Sequence, residues 1–243
     1  MKLNLFHLKL IAFASLTLFT LSISGLITNA ILVFVFQLLG FVCVPLFAYV
    51  ISEGYRNTHS INKYLFRVLL LAVLTALPHR YVCVSAENIW DPQLFYSAAL
   101  TAFFCLGSIV LYDRIKNKYG RIFCIVFTVA ISFLIGFEFA PHALIIMFMI
   151  HICRDKKFVE LAYYITSYCA VIAIVNIFLL KTSNSADIKT EIMQNIALLG
   201  CILALPLIKK YDGTKGPSCK IFSYIYYLLL LGIIVSIMIR FPV

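Results

Sequence analysis

The sequence predicts an all-α fold, a polytopic transmembrane helical bundle with about nine spans and a cytoplasmic N-terminus. Hydrophobic residues make up 63% of the 243 residues and charged residues only 12%, and the mean hydropathy is +1.01. The charged fraction is about half that of a soluble domain, so the chain lacks the polar residues that a water-exposed surface requires. Its apolar runs are continuous and do not alternate with period two, which favours helices over a barrel.

The first two spans are predicted to form a helical hairpin. Residues 10–52 contain no Asp, Glu, Lys or Arg in 43 positions. A single helix of that length would extend about 64 Å against a hydrocarbon core of about 30 Å, so the run must fold back once. Gly25 and the polar pair Thr28-Asn29 supply the turn. Because the apolar run continues into a second span without a clean cleavage site, the first helix is interpreted as a retained span and not a signal peptide.

Charges and loop residues divide the chain into spans of a single integral membrane domain, residues 1–243. The predicted limits are 8–27, 31–52, 64–79, 94–112, 122–138, 140–153, 158–180, 192–208 and 221–239. The fifth and sixth spans are the least regular, because they meet at Pro141 and the sixth is short enough to be re-entrant or strongly tilted.

The basic residues predict the orientation of these spans. With a cytoplasmic N-terminus, 16 of the 20 Lys and Arg residues fall on the inner side and 4 on the outer side, as the positive-inside rule requires. The net charge of +10 is thereby assigned to anchors near anionic headgroups in the lipid bilayer, and no nucleic-acid partner is expected. The eight cysteines are scattered singly without C-x-x-C spacing, so neither a disulfide framework nor a metal site is expected.

Ionisable residues near the inner span ends are the first functional candidates, because charge at membrane depth is costly. Glu53 and Arg56 lie one helical turn apart, and Arg67 lies one turn into the third span. Glu53 and Arg56 are either an interfacial ion pair or part of a site for an anionic cytosolic substrate. Arg67 either extends back to the headgroups or holds a phosphate or carboxylate in a bidentate grip.

A second group of candidates lies toward the predicted outer surface. His79 ends the third span and is a candidate base. Glu138 and His142 are four residues apart around Pro141, where a broken helix beside a carboxylate is typical of a cavity lining; a simple outer loop is the alternative. His151, at the inner end of the sixth span, is interpreted as an interfacial residue. The chain has none of the serine hydrolase, zinc protease, phosphate-loop or dinucleotide motifs.

One stretch carries a family resemblance. It reads, in order, Gly40, Pro45-Leu46-Phe47-Ala48, Glu53-Gly54-Tyr55-Arg56, Thr58, Lys63-Tyr64-Leu65-Phe66-Arg67 and Pro78. These residues resemble the TraX family, which is named for the conjugative-pilus protein that N-acetylates pilin. That family is similar to the membrane acyltransferases that use cytosolic coenzyme A thioesters. The resemblance extends to Asp113-Arg114 and returns, thinly, at Lys220–Tyr227.

The resemblance implies an acetyltransferase of the bacterial inner membrane. Its cytoplasm-facing site would bind acetyl-coenzyme A through Glu53, Arg56, Arg67 and Asp113. The implied acceptor is a peptide N-terminus, such as that of pilin, or a glycan hydroxyl, and another membrane protein is the implied partner.

Two histidine positions of the family are absent from this chain. The segment Phe19–Gly25 lacks the Asp-His pair of the first span, and Leu228-Leu229-Leu230 stand where a His follows the aromatic run. His79, Glu138 and His142 are therefore the candidates for general acid–base chemistry, or the protein no longer catalyses. The alternatives are a non-catalytic partner of a conjugation or secretion system and a small-molecule transporter, which would lack an inverted repeat.

Overall fold

The computed structural model describes residues 3–83, 97–135, 138–139, 141–153, 157–182, 192–193, 195–217 and 220–240. Within these ranges every named element is a helix, and an isolated parallel bridge joins Leu3 to Tyr211. The helices are α1 Leu5–Ile23, α2 Ala30–Gly40, α3 Cys43–Arg56, α4 Ile61–Cys83, α5 Ala98–Arg114, α6 Lys118–Ile135, α7 His142–Cys153, α8 Phe158–Thr182, a 3₁₀ helix Leu198–Ala204, α9 Leu205–Lys209 and α10 Lys220–Arg240. The predicted all-α fold class is confirmed.

In the described part of the chain, five helical segments are long and apolar enough to cross a membrane. They are Leu5–Ile23, Ala30–Arg56, Ile61–Cys83, Lys118–Ile135 and Phe158–Leu179. Shorter apolar helices run over His142–Cys153, Asn195–Lys209 and Tyr224–Arg240. This pattern is that of a multi-pass membrane protein, whereas the count of nine spans and the cytoplasmic N-terminus stay predictions.

The predicted turn after the first span is confirmed. Helix α1 ends at Ile23, and Gly25 adopts the left-handed conformation, with φ +73°, that a residue without a Cβ enters at little cost. Asn29 then caps α2, its side-chain oxygen accepting hydrogen bonds from the N–H groups of Ile31 and Leu32. The turn residues thus end one helix and satisfy the free backbone donors of the next.

Several helix ends differ from the predicted span limits, and two of them concern candidate site residues. Helix α3 runs to Arg56, past the predicted limit at residue 52, so Glu53 lies in its last turn. Helix α4 continues through Pro78 to Cys83, past the predicted span limit at residue 79. Proline removes one helix hydrogen bond, but a membrane helix tolerates that loss where its neighbours satisfy the freed carbonyl.

The chain divides into two compact units. The first comprises Met1–Leu46 and Cys153–Ser218, and the second comprises Phe47–Ile152 and Cys219–Val243. In the first unit α1 packs on α2, and the 3₁₀ helix packs on both α2 and α8. Gly200 lets the 3₁₀ helix lie close to α2, because a Cβ at that position would collide with the carbonyl oxygen of Leu38 in α2.

In the second unit α4 packs against α5 and α10, and α5 packs against α6. More than half of the residues of helix α7 are buried, with Leu144, Ile146, Met147 and Ile150 almost fully inaccessible. A helix that is apolar on all sides is expected to be buried. Its twelve residues extend only about 18 Å, which is short for a helix that crosses the hydrocarbon alone.

The Gly200 contact predicts that Gly200→Ala will destabilise the protein by about 1–3 kcal/mol, because the backbone of α2 must move to admit the methyl group. The matched control is Gly107→Ala in α5, where a Cβ would meet nothing within 4 Å. The measurement is the unfolding midpoint of the detergent-solubilised protein. Equal midpoints for the two variants would contradict the close packing of Gly200.

Candidate functional site

Two histidine–carboxylate pairs lie in the second unit. His79 Nε2 is 3.3 Å from Glu138 Oε2, and His151 Nε2 is 3.1 Å from Asp113 Oδ1. They belong to opposite ends of α5. The hydroxyl of Thr101, near the start of α5, donates to the Glu138 carbonyl, and Asp113 lies near its end. Twelve residues of helix separate Thr101 from Asp113, or about 18 Å along the axis.

The His79–Glu138 pair is buried. The two side chains are 5% and 10% exposed, and the contact is an electrostatic pairing without the alignment of a hydrogen bond. The Cys83 Sγ, one helical turn after His79, lies 3.6 Å from the same nitrogen. The 2.6 Å hydrogen bond from Thr101 fixes the backbone of Glu138, and the next residue, Phe139, has an unusual positive φ of 63°.

The Asp113–His151 pair is more open. Asp113 is 37% exposed, whereas the His151 side chain is 8% exposed. The Tyr55 hydroxyl also hydrogen-bonds the Asp113 carboxylate. The rings of Tyr55 and Tyr112 both pack edge-on against the His151 imidazole, with centroids 6.0 and 6.1 Å away. The imidazole is thus oriented by one carboxylate and two aromatic rings.

The second ring nitrogen of His151 is the distinctive feature of this pair. His151 Nδ1 is buried and has no hydrogen-bond partner among the residues that the structure describes. A carboxylate only accepts hydrogen bonds, so a neutral imidazole facing Asp113 carries its proton on Nε2. Nδ1 then holds a lone pair that is able to take a proton from a bound molecule.

Basic residues surround this end of the second unit, which we call the basic end. Arg114 ends α5, Lys116 lies in the link to α6, and Lys118 and Arg121 lie in the first turn of α6. The Arg121 Nε donates to the Ile115 carbonyl at 2.7 Å, and the guanidinium lies 5.2 Å from the centroid of the Tyr112 ring. One of these cations is therefore fixed against a ring that contacts His151.

The remaining predicted site residues, Glu53, Arg56, Arg67 and His142, lie outside the two histidine–carboxylate pairs. Glu53 is buried and accepts a hydrogen bond from Asn57 at 3.0 Å, and Arg56 is exposed at the end of α3. Arg67 is exposed, and its Nε donates to the Lys63 carbonyl. His142 is half-buried and begins α7, a helix that ends beyond His151.

The structure also gives a role to two residues of the 40–78 stretch, Gly54 and Tyr55. A Cβ on Gly54 would lie 2.9 Å from the Tyr64 hydroxyl, so the glycine that follows Glu53 lets α4 approach α3. Tyr55, the next residue, reaches Asp113. The glycine and the aromatic residue therefore have separate structural roles at the basic end.

Sequence reasoning did not identify His151, Tyr55 and Tyr112 as site residues. His151 was interpreted as interfacial, although an ionisable residue in the last turn of an otherwise apolar helix is a signal in itself. Its partner lies 38 residues away in sequence. That pairing depends on the alignment of α7 with α5, which no local pattern specifies.

A family model described as TraX protein matches residues 4–238. The chain belongs to the TraX family. The resemblance at residues 40–114 is thereby confirmed and extended to nearly the whole chain, and both histidine–carboxylate pairs lie inside the matched range. No curated protein and no solved structure matches the chain. Among the described residues, no group of three or more His, Cys, Asp or Glu side chains has the arrangement of a metal site.

Burial predicts that the His79–Glu138 pair is energetically coupled. His79→Leu leaves Glu138 as a buried carboxylate without its imidazole and is expected to cost about 3 kcal/mol of stability. The double variant with Glu138→Gln removes that charge and is expected to recover part of the loss. A double-mutant cycle on the unfolding free energy tests this, and additive effects would mean that the two side chains do not interact.

Proposed function

We propose that this TraX-family protein transfers an acyl group from a coenzyme A thioester to an amine or hydroxyl acceptor at the Asp113–His151 pair. One observation carries the proposal: the buried, unpartnered Nδ1 of a histidine whose other nitrogen is held by a carboxylate. This is the arrangement of a general base with its orienting group. Acetyl-coenzyme A is the donor implied by the family resemblance.

In this mechanism His151 Nδ1 removes the proton from the acceptor nitrogen or oxygen as that atom attacks the thioester carbonyl. The Asp113 carboxylate stabilises the imidazolium that forms. His151 then returns the proton to the departing thiolate, so that a carbon–sulfur bond breaks as the new bond to carbon forms. The products are the acylated acceptor and free coenzyme A. Tyr55 and Tyr112 hold the imidazole in the required orientation.

The charges at the basic end support a donor that enters from the cytosol. Basic loops favour the cytoplasmic side of a membrane, and coenzyme A carries anionic phosphates that cations bind. Arg56 and Arg67 are proposed to contribute to donor binding, with Glu53 supporting the end of α3. The sequence assigned Asp113 to substrate binding, whereas we propose that it orients the base.

The catalytic assignment of His79, Glu138 and His142 stays a prediction. Thr101, which contacts Glu138, and Asp113, which contacts His151, are about 18 Å apart along the axis of α5, so the two pairs are not expected to act on the same atom. A buried ionisable pair at membrane depth is also typical of proton or substrate pathways in transporters. Transport is therefore the second candidate function, and a membrane partner without activity is the third.

Substitution of each histidine distinguishes these assignments. His151→Gln is expected to lower the rate of acetyl transfer by about 100-fold or more, because Gln cannot accept the proton. Asp113→Asn is expected to impair the same step, whereas His79→Gln and His142→Gln are expected to retain most of the rate. The measurement is release of free coenzyme A from acetyl-coenzyme A by detergent-purified protein with peptide-amine or glycan acceptors.

The outcomes of this assay separate the candidates. Loss of activity in His79→Gln with full activity in His151→Gln would move catalysis to the buried pair. Failure of the wild-type protein to bind acetyl-coenzyme A at millimolar concentration would eliminate the enzyme proposal. Binding without transfer to any acceptor would favour a degenerate family member.

Orientation is tested separately by cysteine labelling. In an otherwise cysteine-free protein, Lys116→Cys at the basic end is expected to react with an impermeant maleimide only from the cytoplasmic side, because the positive-inside rule places basic loops there. A matched variant that keeps only the native Cys83, at the end of α4, is expected to react from the opposite side. Labelling of both from one side would contradict the predicted topology.

A further inference from the structure

We propose that Arg121 is the phosphate-binding residue of the donor site and selects donors that carry the nucleotide phosphates of coenzyme A. The inference rests on the proposed function and concerns a residue that the sequence did not single out. Its ligand is a phosphate or pyrophosphate group attached to an arm whose thioester reaches His151.

The orientation of Arg121 is fixed by two contacts. Its Nε donates to the Ile115 carbonyl at 2.7 Å, and its guanidinium carbon lies 5.2 Å from the Tyr112 ring centroid. Neither contact uses the two terminal nitrogens of the guanidinium. A planar guanidinium held in this way presents those nitrogens as a paired donor for phosphate oxygens, with little entropy left to lose on binding.

The position of Arg121 relative to the base is set by Tyr112. One part of that ring lies beneath the guanidinium, and the ring also packs at 88° against the His151 imidazole. A single aromatic ring therefore separates the cation from the proposed base. Loss of the guanidinium therefore removes a phosphate-binding cation without removing the base itself.

The surrounding charges select an anion. Residues 114–121 contain Arg114, Lys116, Lys118 and Arg121 and no acidic residue. Asp113, just before this segment, is already hydrogen-bonded to His151 and Tyr55. The phosphate of an anionic lipid has the same recognition chemistry as the phosphates of coenzyme A, so the experiment must separate these two sources.

The test compares two donors that share a thioester, acetyl-coenzyme A and acetyl-pantetheine, of which only the first has phosphates. Arg121→Ala is expected to lower kcat/KM for acetyl-coenzyme A by about tenfold or more and to leave that for acetyl-pantetheine unchanged. Arg121→Lys keeps the charge but loses the paired N–H donors, and its kcat/KM for acetyl-coenzyme A is expected to be intermediate. Lys63→Ala, which removes one exposed charge near the start of α4 and outside residues 114–121, is the control and is expected to change the ratio of the two kcat/KM values by less than about threefold.

Direct binding of unacylated coenzyme A, measured by calorimetry in lipid-free detergent, tests the inference independently of catalysis. Wild-type protein is expected to bind coenzyme A more tightly than pantetheine, and Arg121→Ala is expected to lose that preference. If Arg121→Ala lowers kcat/KM equally for acetyl-coenzyme A and acetyl-pantetheine, the residue has a purely structural role and the inference is overturned. The inference is also overturned if Arg121→Ala binds coenzyme A as tightly as the wild-type protein but binds phosphatidylglycerol vesicles more weakly, because Arg121 would then bind lipid. Coenzyme A binding that depends on Arg121, without transfer to any acceptor, would refute the proposed function but not this site.

Discussion

Hydrocarbon offers no hydrogen-bond partner, so polar groups of this chain at membrane depth must be satisfied by the protein itself. The hydroxyl side chains show how this is achieved. Many of them donate to the carbonyl four residues earlier in their own helix, at 2.7–2.9 Å. Examples are Thr17, Thr20, Thr75, Ser108, Thr128, Thr166 and Ser236. Such side chains carry polarity into an apolar helix without leaving an unsatisfied donor.

The carboxylates of the two candidate pairs depend instead on side chains from other parts of the fold. Glu138 and Asp113 each lie within 3.3 Å of a histidine from a distant part of the sequence. Each pair leaves one buried atom without a hydrogen bond to a described residue, Glu138 Oε2 in the first pair and His151 Nδ1 in the second. Both side chains of the first pair are buried, whereas the Asp113 side chain in the second is 37% exposed. A group that a fold leaves unsatisfied at a cost is a reason to look for a ligand.

The sequence predicted the features that depend on local chemistry. The absence of charge across residues 10–52 required a reversal, and the glycine and asparagine able to make the turn were visible in the sequence. The ends of α3 and α4 were less predictable, because Pro78 indicates a boundary that packing overrides. His79 and Glu138 were each identified as costly residues, but their mutual contact depends on how α4 and the segment before α7 are aligned. His151 was missed for the same reason, since only the tertiary structure brings it to Asp113.

Two histidine positions of the family are absent from this chain. Neither the first span nor the last offers an imidazole at the positions that the resemblance implies, so a base must come from another helix if the chain catalyses. His79 is committed to a buried carboxylate and shares its Nε2 surroundings with a thiol. His151 faces its carboxylate with one nitrogen and has no hydrogen-bond partner among the described residues for the other, and the Tyr112 ring that contacts it also carries the Arg121 guanidinium. A substitute base requires a nitrogen that is able to accept a proton, and this requirement favours His151 over His79.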